Sequence, residues 1–299
     1  MSNQQTMYPY AQEYSQRSAH ERAKSPDTGP GEGIINRKLL FCAALSKLPV
    51  EDLITHCDRC RRWYVLCCPD ARDWFDNGRA CHHYALVFTD GACQGNGSPG
   101  ARAGIGGVAG SVPLDAVHDE RERMGEKRMA PAYRWSVPVD ARVDTYPGVL
   151  RTSQRTELLA ALEALRRVEA LQRAGEQAHG THGQSARKEC KAWVIASDSE
   201  YVVKGITEWF PTWQRNGWRT CAGKSPANLD LFLKLDAAIT SVERRRAVQV
   251  GFWHIPRKYN TEADELATAA ASRARPILPD PIVISAYVPP DPTVISGYV

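Results

Sequence analysis

Net charge is scarce in this sequence: 38 Lys+Arg stand against 34 Asp+Glu, a formal +4 over 299 residues. So small an excess gives no argument for a nucleic-acid partner from bulk charge, and any such claim rests on local patches. Long apolar runs are missing as well. None approaches the ~18 residues that a membrane span needs, and no basic, apolar, small-residue leader opens the chain. The chain therefore reads as a soluble protein with no membrane partner. Its nine cysteines then point to a reducing compartment rather than a disulfide framework. An intracellular location is expected, nucleus or cytoplasm, with the mitochondrion left open by Arg17 and Arg22. Disorder throughout is excluded, because 43% of the residues are hydrophobic, enough to bury a core.

The organisation follows from composition. Residues 1–35 are polar, without apolar period, and end in Pro26-Asp27-Thr28-Gly29-Pro30-Gly31, the pattern of a disordered tail. Residues 36–83 hold a weakly amphipathic stretch, Leu39-Leu40-Phe41 to Leu45 and Leu48, read as one helix, followed by a Cys-rich segment. Residues 84–275 carry a mixed strand and helix pattern. Residues 276–299 form a flexible Pro-rich tail, in which Pro279-Asp280-Pro281 to Val288 is nearly repeated from Pro290 to Val299. Two copies are too few for a solenoid, and the prolines forbid a central strand. That leaves a flexible tail with two sticky segments, or a peptide docking motif.

Within the central region, Tyr84 to Thr89 is an apolar run rich in strand formers that stops at Asp90-Gly91. Ala103 to Ala109 is a glycine-heavy second strand, and Tyr133 to Val139 a third with alternating exposure. Leu158, Leu162 and Leu165 recur at helical spacing. Lys191 to Ala196 and Val248 to Trp253 are further strands, and a helix from about Thr261 to Ala274 closes the domain. Three strands in succession, then helices alternating with two more, predict an α/β fold: a five-stranded mixed sheet with helices on both faces. The insertion from Ser111 to Met129 reads as a solvated loop or short helix without assigned function.

Two of these strands end in aspartates, Asp90 and Asp198, and strands of such sheets carry their chemistry at their carboxyl ends. Glu157 and Asp264 each open the apolar stripe of a helix. Taken singly, any of these acids reads as an N-cap or a solvated surface charge. Taken together, four carboxylates at one sheet edge repel one another unless cations sit among them, and flexible all-oxygen ligation suits Mg²⁺.

The flanking residues carry a resemblance. Thr89-Asp90-Gly91-Ala92-Cys93-Gln94-Gly95-Asn96-Gly97, Ser153-Gln154-Arg155-Thr156-Glu157-Leu158, Ser197-Asp198-Ser199-Glu200-Tyr201-Val202, and His254 with Asn260-Thr261-Glu262-Ala263-Asp264-Glu265-Leu266 stand in that order. This set resembles the type 1 ribonuclease H family, in a eukaryotic, fungal-like, standalone form, over roughly residues 84–274. The resemblance implies a ribonuclease H-like fold and a monomeric endonuclease acting on the RNA strand of RNA–DNA hybrids. Its products would carry a 3′-hydroxyl and a 5′-phosphate. Asp90, Glu157, Asp198 and Asp264 match the family's ligands for two Mg²⁺ ions, for which Mn²⁺ substitutes, and Gly91 is assigned beside them. His254 matches a mobile histidine that moves protons, a role suited to imidazole near neutral pH. The alternative is a module of the same fold that binds hybrid and cleaves it weakly.

For hybrid contacts, Cys93, Asn96, Ser153 and Gln154 match minor-groove positions, where an amide senses a 2′-hydroxyl. Thr152 and Asn228 match phosphate-pocket positions, although the family's arginine before that threonine is Leu150 here, with Arg151 as a substitute. From Pro211 to Lys224 there are basic residues and no acid, interleaved with tryptophans. Trp213, Arg215, Trp218 and Lys224 are accordingly expected to bind the DNA strand, the other reading being a basic helix with tryptophans in the core. Departing from the family, Cys57, Cys60, Cys67, Cys68, Cys81 and His83 crowd the front. They form either a structural Zn²⁺ site, with Cys57 and Cys60 joined by two of the others, or buried free thiols.

Overall fold

Residues 33–65, upstream of the first expected strand, contribute strands of their own. In the computed structural model of the chain, the described residues are 33–57, 61–67, 82–110, 133–145, 149–179, 190 and 192–276. The two expected tails outside 33–276, the 111–129 insertion, and Cys60, Cys68 and Cys81 lie outside the described residues. The strands are β1 (Gly33–Ile35), β2 (Lys38–Leu40), β3 (Ile54–Cys57), β4 (Arg62–Val65), β5 (Tyr84–Gln94), β6 (Arg102–Val108), β7 (Arg134–Pro138), β8 (Ala192–Ser197) and β9 (Gln249–His254). The helices are α1 (Val50–Leu53), α2 (Ser153–His179), α3 (Glu200–Lys204), α4 (Phe210–Arg215), α5 (Leu229–Arg246) and α6 (Thr261–Arg273), with a π-helical turn, Gly205–Trp209, between α3 and α4.

The five expected strands form the centre of one mixed sheet. β7, β6 and β5 pair antiparallel, while β5, β8 and β9 pair parallel. The β1–β2 hairpin extends the β9 edge, and the β3–β4 hairpin meets β5 at Tyr64 opposite Ala85. The helix expected at 36–50 is therefore corrected to a hairpin and two short turns. Asn36 and Arg37 both adopt the left-handed conformation, φ 48° and 66°, as a two-residue loop between paired strands requires. Leu39 and Leu45 are buried all the same, so the apolar residues find the core without a helix.

β8 is buried along its whole length, which is why a parallel central strand reads as an unbroken apolar run. On one face, Val87, Trp193 and Ile195 pack with Leu158 and Leu165 of α2 and Phe232 of α5. Leu158 and Leu165 are almost fully buried, each stabilising the fold by roughly 1.5–3 kcal/mol. On the other face, Leu86, Phe88, Val194 and Trp253 pack with Ala263 of α6 and with Leu39, Leu53 and Val65. The glycines of β6 have a specific cause. A Cβ on Gly104 would lie 2.1 Å from the Ala271 nitrogen, and one on Gly106 2.4 Å from the Ala263 oxygen. α6 therefore rests directly on the β6 backbone, and its first turn is fixed at the sheet's end. No helix among the described residues is long and apolar enough to cross a membrane.

Candidate active site

β5 does not stop at Asp90, as the sequence suggests, but continues to Gln94. Its parallel pairing with β8 ends at Phe88 opposite Ala196, and beyond it only the antiparallel pairing with β6 persists. Asp90 stands just past the parallel ladder and Asp198 just past the end of β8, so both acids come to the same end of the sheet. Gly91 brings the third element in. A Cβ there would lie 2.5 Å from the Glu157 nitrogen, so only glycine allows α2 to approach this closely. Asp264 arrives on the first turn of α6.

The acids sense one another. Burial, then Asp198, Asp264 and Glu157, push the Asp90 carboxyl up to about 7. Burial also pushes Glu157 up, against a 2.5 Å hydrogen bond that Ser199 Oγ donates to its Oε2. Asp198 Oδ1 accepts from Asn260 Nδ2 at 2.7 Å, and the same amide nitrogen donates to the Thr89 carbonyl at 3.1 Å. Arg257 Nη2 donates to Asp264 Oδ1 at 2.5 Å, with its Nη1 3.9 Å from Asp198 Oδ2. His254 is exposed at the end of β9, its Nε2 3.2 Å from the Asp198 carbonyl. Among the described residues, no three Asp, Glu, His or Cys side chains close into a ligand sphere. The donor set nonetheless fits a hard cation: it is all oxygen, and the carboxyls that raise Asp90, after burial, are the acidic neighbours Asp198, Asp264 and Glu157.

The polar candidates gather beside this cluster. Asn96 Oδ1 accepts from the Ser153 nitrogen at 2.9 Å, and the Gly97 nitrogen donates to the Arg151 carbonyl at 2.8 Å. Cys93 is half-buried, and its Sγ donates to the same carbonyl at 3.5 Å. Thr152 Oγ1 caps α2 by accepting from the Arg155 nitrogen, while Gln154 is exposed. Asn228 stands in the left-handed conformation before α5, donating to the Tyr201 hydroxyl. Arg151 does not replace the missing phosphate-pocket arginine. Its guanidinium is buried, with Nη1 donating to the carbonyls of Ala101 and Arg275.

One further expectation is corrected by the packing. Trp213 and Trp218 are 9% and 7% exposed and pack edge-on and tilted against Phe232 and Phe210, so they belong to the core rather than to a stacking surface. Arg215 and Lys224 are exposed, and Trp209 is the exposed tryptophan of this segment. A zinc ion held by both Cys57 and Cys67 does not fit the geometry, while Cys60, Cys68 and Cys81 lie outside the described residues. Cys57 pairs with Arg62 across the β3–β4 hairpin, five residues from Cys67, about 16 Å of extended chain. Two ligands of one zinc ion lie under ~4 Å apart. Cys67 Sγ instead lies 3.4 Å from His83 Nδ1.

A buried network escaped the sequence reading. Arg155, 2% exposed, donates twice to Asp144, at 2.6 and 2.7 Å, and twice to Asp230, at 3.1 and 2.9 Å. It ties the α2 N-terminus, two residues before Glu157, to the start of α5. No local spacing announces a partnership across 75 residues. Asn260, Ser199 and Arg257 were likewise part of recognised motifs or their flanks without an assigned role.

Four carboxylates, from β5, the residue after β8 and two helices, gather at one end of a mixed sheet as an all-oxygen donor set of the kind that suits divalent cations. The family model of RNase H matches residues 82–272. A ribonuclease H from Klebsiella pneumoniae subsp. pneumoniae is 34% identical over 186 residues, 62% of this chain and 88% of that protein. One from Treponema pallidum subsp. pallidum is 34% identical over 193 residues, 64% of this chain and 94% of that protein. Among solved structures, a ribonuclease H isolated from compost by a metagenomic approach matches 62% of this chain and 94% of its own, at 22% identity and a TM-score of only 0.35. The chain belongs to the ribonuclease H family. Both relatives are bacterial and lend no support to a eukaryotic, fungal-like kinship.

Proposed function

We propose that this chain is an endonuclease that hydrolyses the RNA strand of RNA–DNA hybrids, leaving 3′-hydroxyl and 5′-phosphate ends. The observation that carries this reading is the convergence of Asp90, Glu157, Asp198 and Asp264, with Asp90 raised to about 7 by burial and its acidic neighbours. These four side chains, with Gly91 inside β5 against α2, are the residues that would hold two Mg²⁺ ions, or Mn²⁺ in their place. When bound, such ions activate a water and stabilise the departing oxygen of a phosphodiester.

The protein's own groups have separable parts in this account. Ser199 and Asn260 orient Glu157 and Asp198 through hydrogen bonds. His254 is exposed and adjoins Asp198, where an imidazole exchanges a proton between the site and solvent. Cys93, Asn96, Ser153 and Gln154 offer donors and acceptors suited to a 2′-hydroxyl in a wide minor groove, and Thr152 and Asn228 stand at the phosphate-pocket positions. Arg215 and Lys224 supply exposed positive charge for the DNA strand. Labelled hybrid incubated with the protein should be cut in its RNA strand with Mg²⁺ and left intact with chelator. Binding without cutting under saturating Mg²⁺ would favour a hybrid-binding module of the same fold.

A further inference from the structure

The 3-10 turn Arg257–Tyr259 lies between His254 and Asp264. It presents two adjacent cations, and they behave differently. Lys258 Nζ lies 4.5 Å from the centre of the Tyr259 ring. The Tyr259 hydroxyl donates to Glu51, in the segment before the family match, which helps to anchor the turn. Arg257 reaches the acids. Its guanidinium contacts Asp264 at 2.5 Å, approaches Asp198 to 3.9 Å, and its charge works against the rise that burial gives the Glu157 carboxyl. A single side chain thus screens three of the four acids. It does so from the mouth of the site, being 72% exposed where Asp198 is 11% exposed.

We propose that Arg257 is the resident counter-cation of the acid cluster, a positioning residue that a divalent ion must displace. This rests on the reading of these acids as metal ligands. A guanidinium and a metal ion compete for the same Asp264 oxygen, because an oxygen that accepts a 2.5 Å charge-assisted hydrogen bond has no room for a close cation on that side. Arg257 therefore sets how much Mg²⁺ the site requires, and it spares the metal-free protein the repulsion among its acids. Its exposed stem leaves it free to swing outward when an ion enters.

The test is calorimetric titration of MgCl₂ into the full chain without nucleic acid, paired with melting temperatures in chelator and in saturating Mg²⁺. Arg257→Ala should bind Mg²⁺ roughly tenfold more tightly than the unaltered protein, as expected when a charged hydrogen bond no longer competes. It should also melt lower in chelator but not in saturating Mg²⁺. Arg257→Lys keeps the charge and should stay near the unaltered affinity. Arg257→Gln, close in length, should repeat the tightening, and it replaces the alanine variant if that one folds poorly. Unchanged or weaker Mg²⁺ binding in the neutral variants overturns the proposal. Asp198→Asn separates the two levels of the argument. If it binds Mg²⁺ as the unaltered protein does, the acids are not the metal site. If it loses Mg²⁺ while the neutral Arg257 variants bind as before, only the counter-cation role falls.

Discussion

Asn260 Nδ2 lies 2.7 Å from Asp198 Oδ1 and 3.1 Å from the Thr89 carbonyl, so one buried amide joins the middle of β5, the acid after β8 and the start of α6. Asn260→Ala removes both bonds and leaves a buried carbonyl without its donor. The expected cost is about 1–3 kcal/mol of stability, together with a lower kcat because Asp198 is no longer held in place. Urea unfolding and steady-state cleavage on the same preparation check both. Wild-type kcat in a destabilised variant would show that the amide supports the fold alone.

The Arg155 network makes a prediction about stability. Arg155→Ala removes the paired guanidinium donors of Asp144 and Asp230, the first 7% exposed, and should cost about 3–5 kcal/mol. Lysine should rescue little, since a single ammonium cannot reproduce the paired donor geometry on two carboxylates. Chemical denaturation of the alanine and lysine variants measures both effects.

Asp90 gives a pH dependence with a definite sign. Its carboxyl is held near 7 in the folded protein against an ordinary 3.8. Between these values the folded chain holds a proton that the unfolded chain has released. The stability of the metal-free protein should therefore fall as pH rises through that window, with the full penalty present above about 7. Asp90→Asn should flatten this slope when unfolding is followed in chelator from pH 5 to pH 8. An undiminished slope would assign it to other groups.

The basic segment separates into two roles. Trp213→Ala should cost about 3–5 kcal/mol of stability, as for a buried aromatic, and leave the salt dependence of hybrid binding unchanged. Arg215→Ala and Lys224→Ala should each reduce the slope of log affinity against log salt by about 1, with stability nearly intact. Binding isotherms at several salt concentrations distinguish these outcomes.

Much of this fold was legible because its signals are local. The parallel strand Ala192–Ser197 is an unbroken apolar run, and α6 follows from an alanine stripe placed against the β6 glycines. α5 had a usable signal in Phe232, Leu235, Ile239 and Val242, all buried at helical spacing. The three-residue strands β1 and β2 had none, since a run that short carries no period and its pairing depends on the distant β9. In the site, the acids were found through their flanking motifs. Their supports were not, because Ser199 on Glu157 and Asn260 on Asp198 are contacts across 42 and 62 residues. Trp213 and Trp218 were misread because basic neighbours suggested a surface. The aromatic rings turn inward while Arg215 stays out.

The central claim is that the acid cluster cleaves the RNA strand of a hybrid, and Asp198→Asn tests it most directly. The substitution preserves side-chain volume and removes one charge from the cluster. With end-labelled RNA–DNA hybrid at saturating Mg²⁺, turnover should fall by roughly a thousandfold or more, the loss of several kcal/mol of transition-state stabilisation. Hybrid binding should remain measurable. Turnover equal to that of the unaltered protein would contradict the four-carboxylate account.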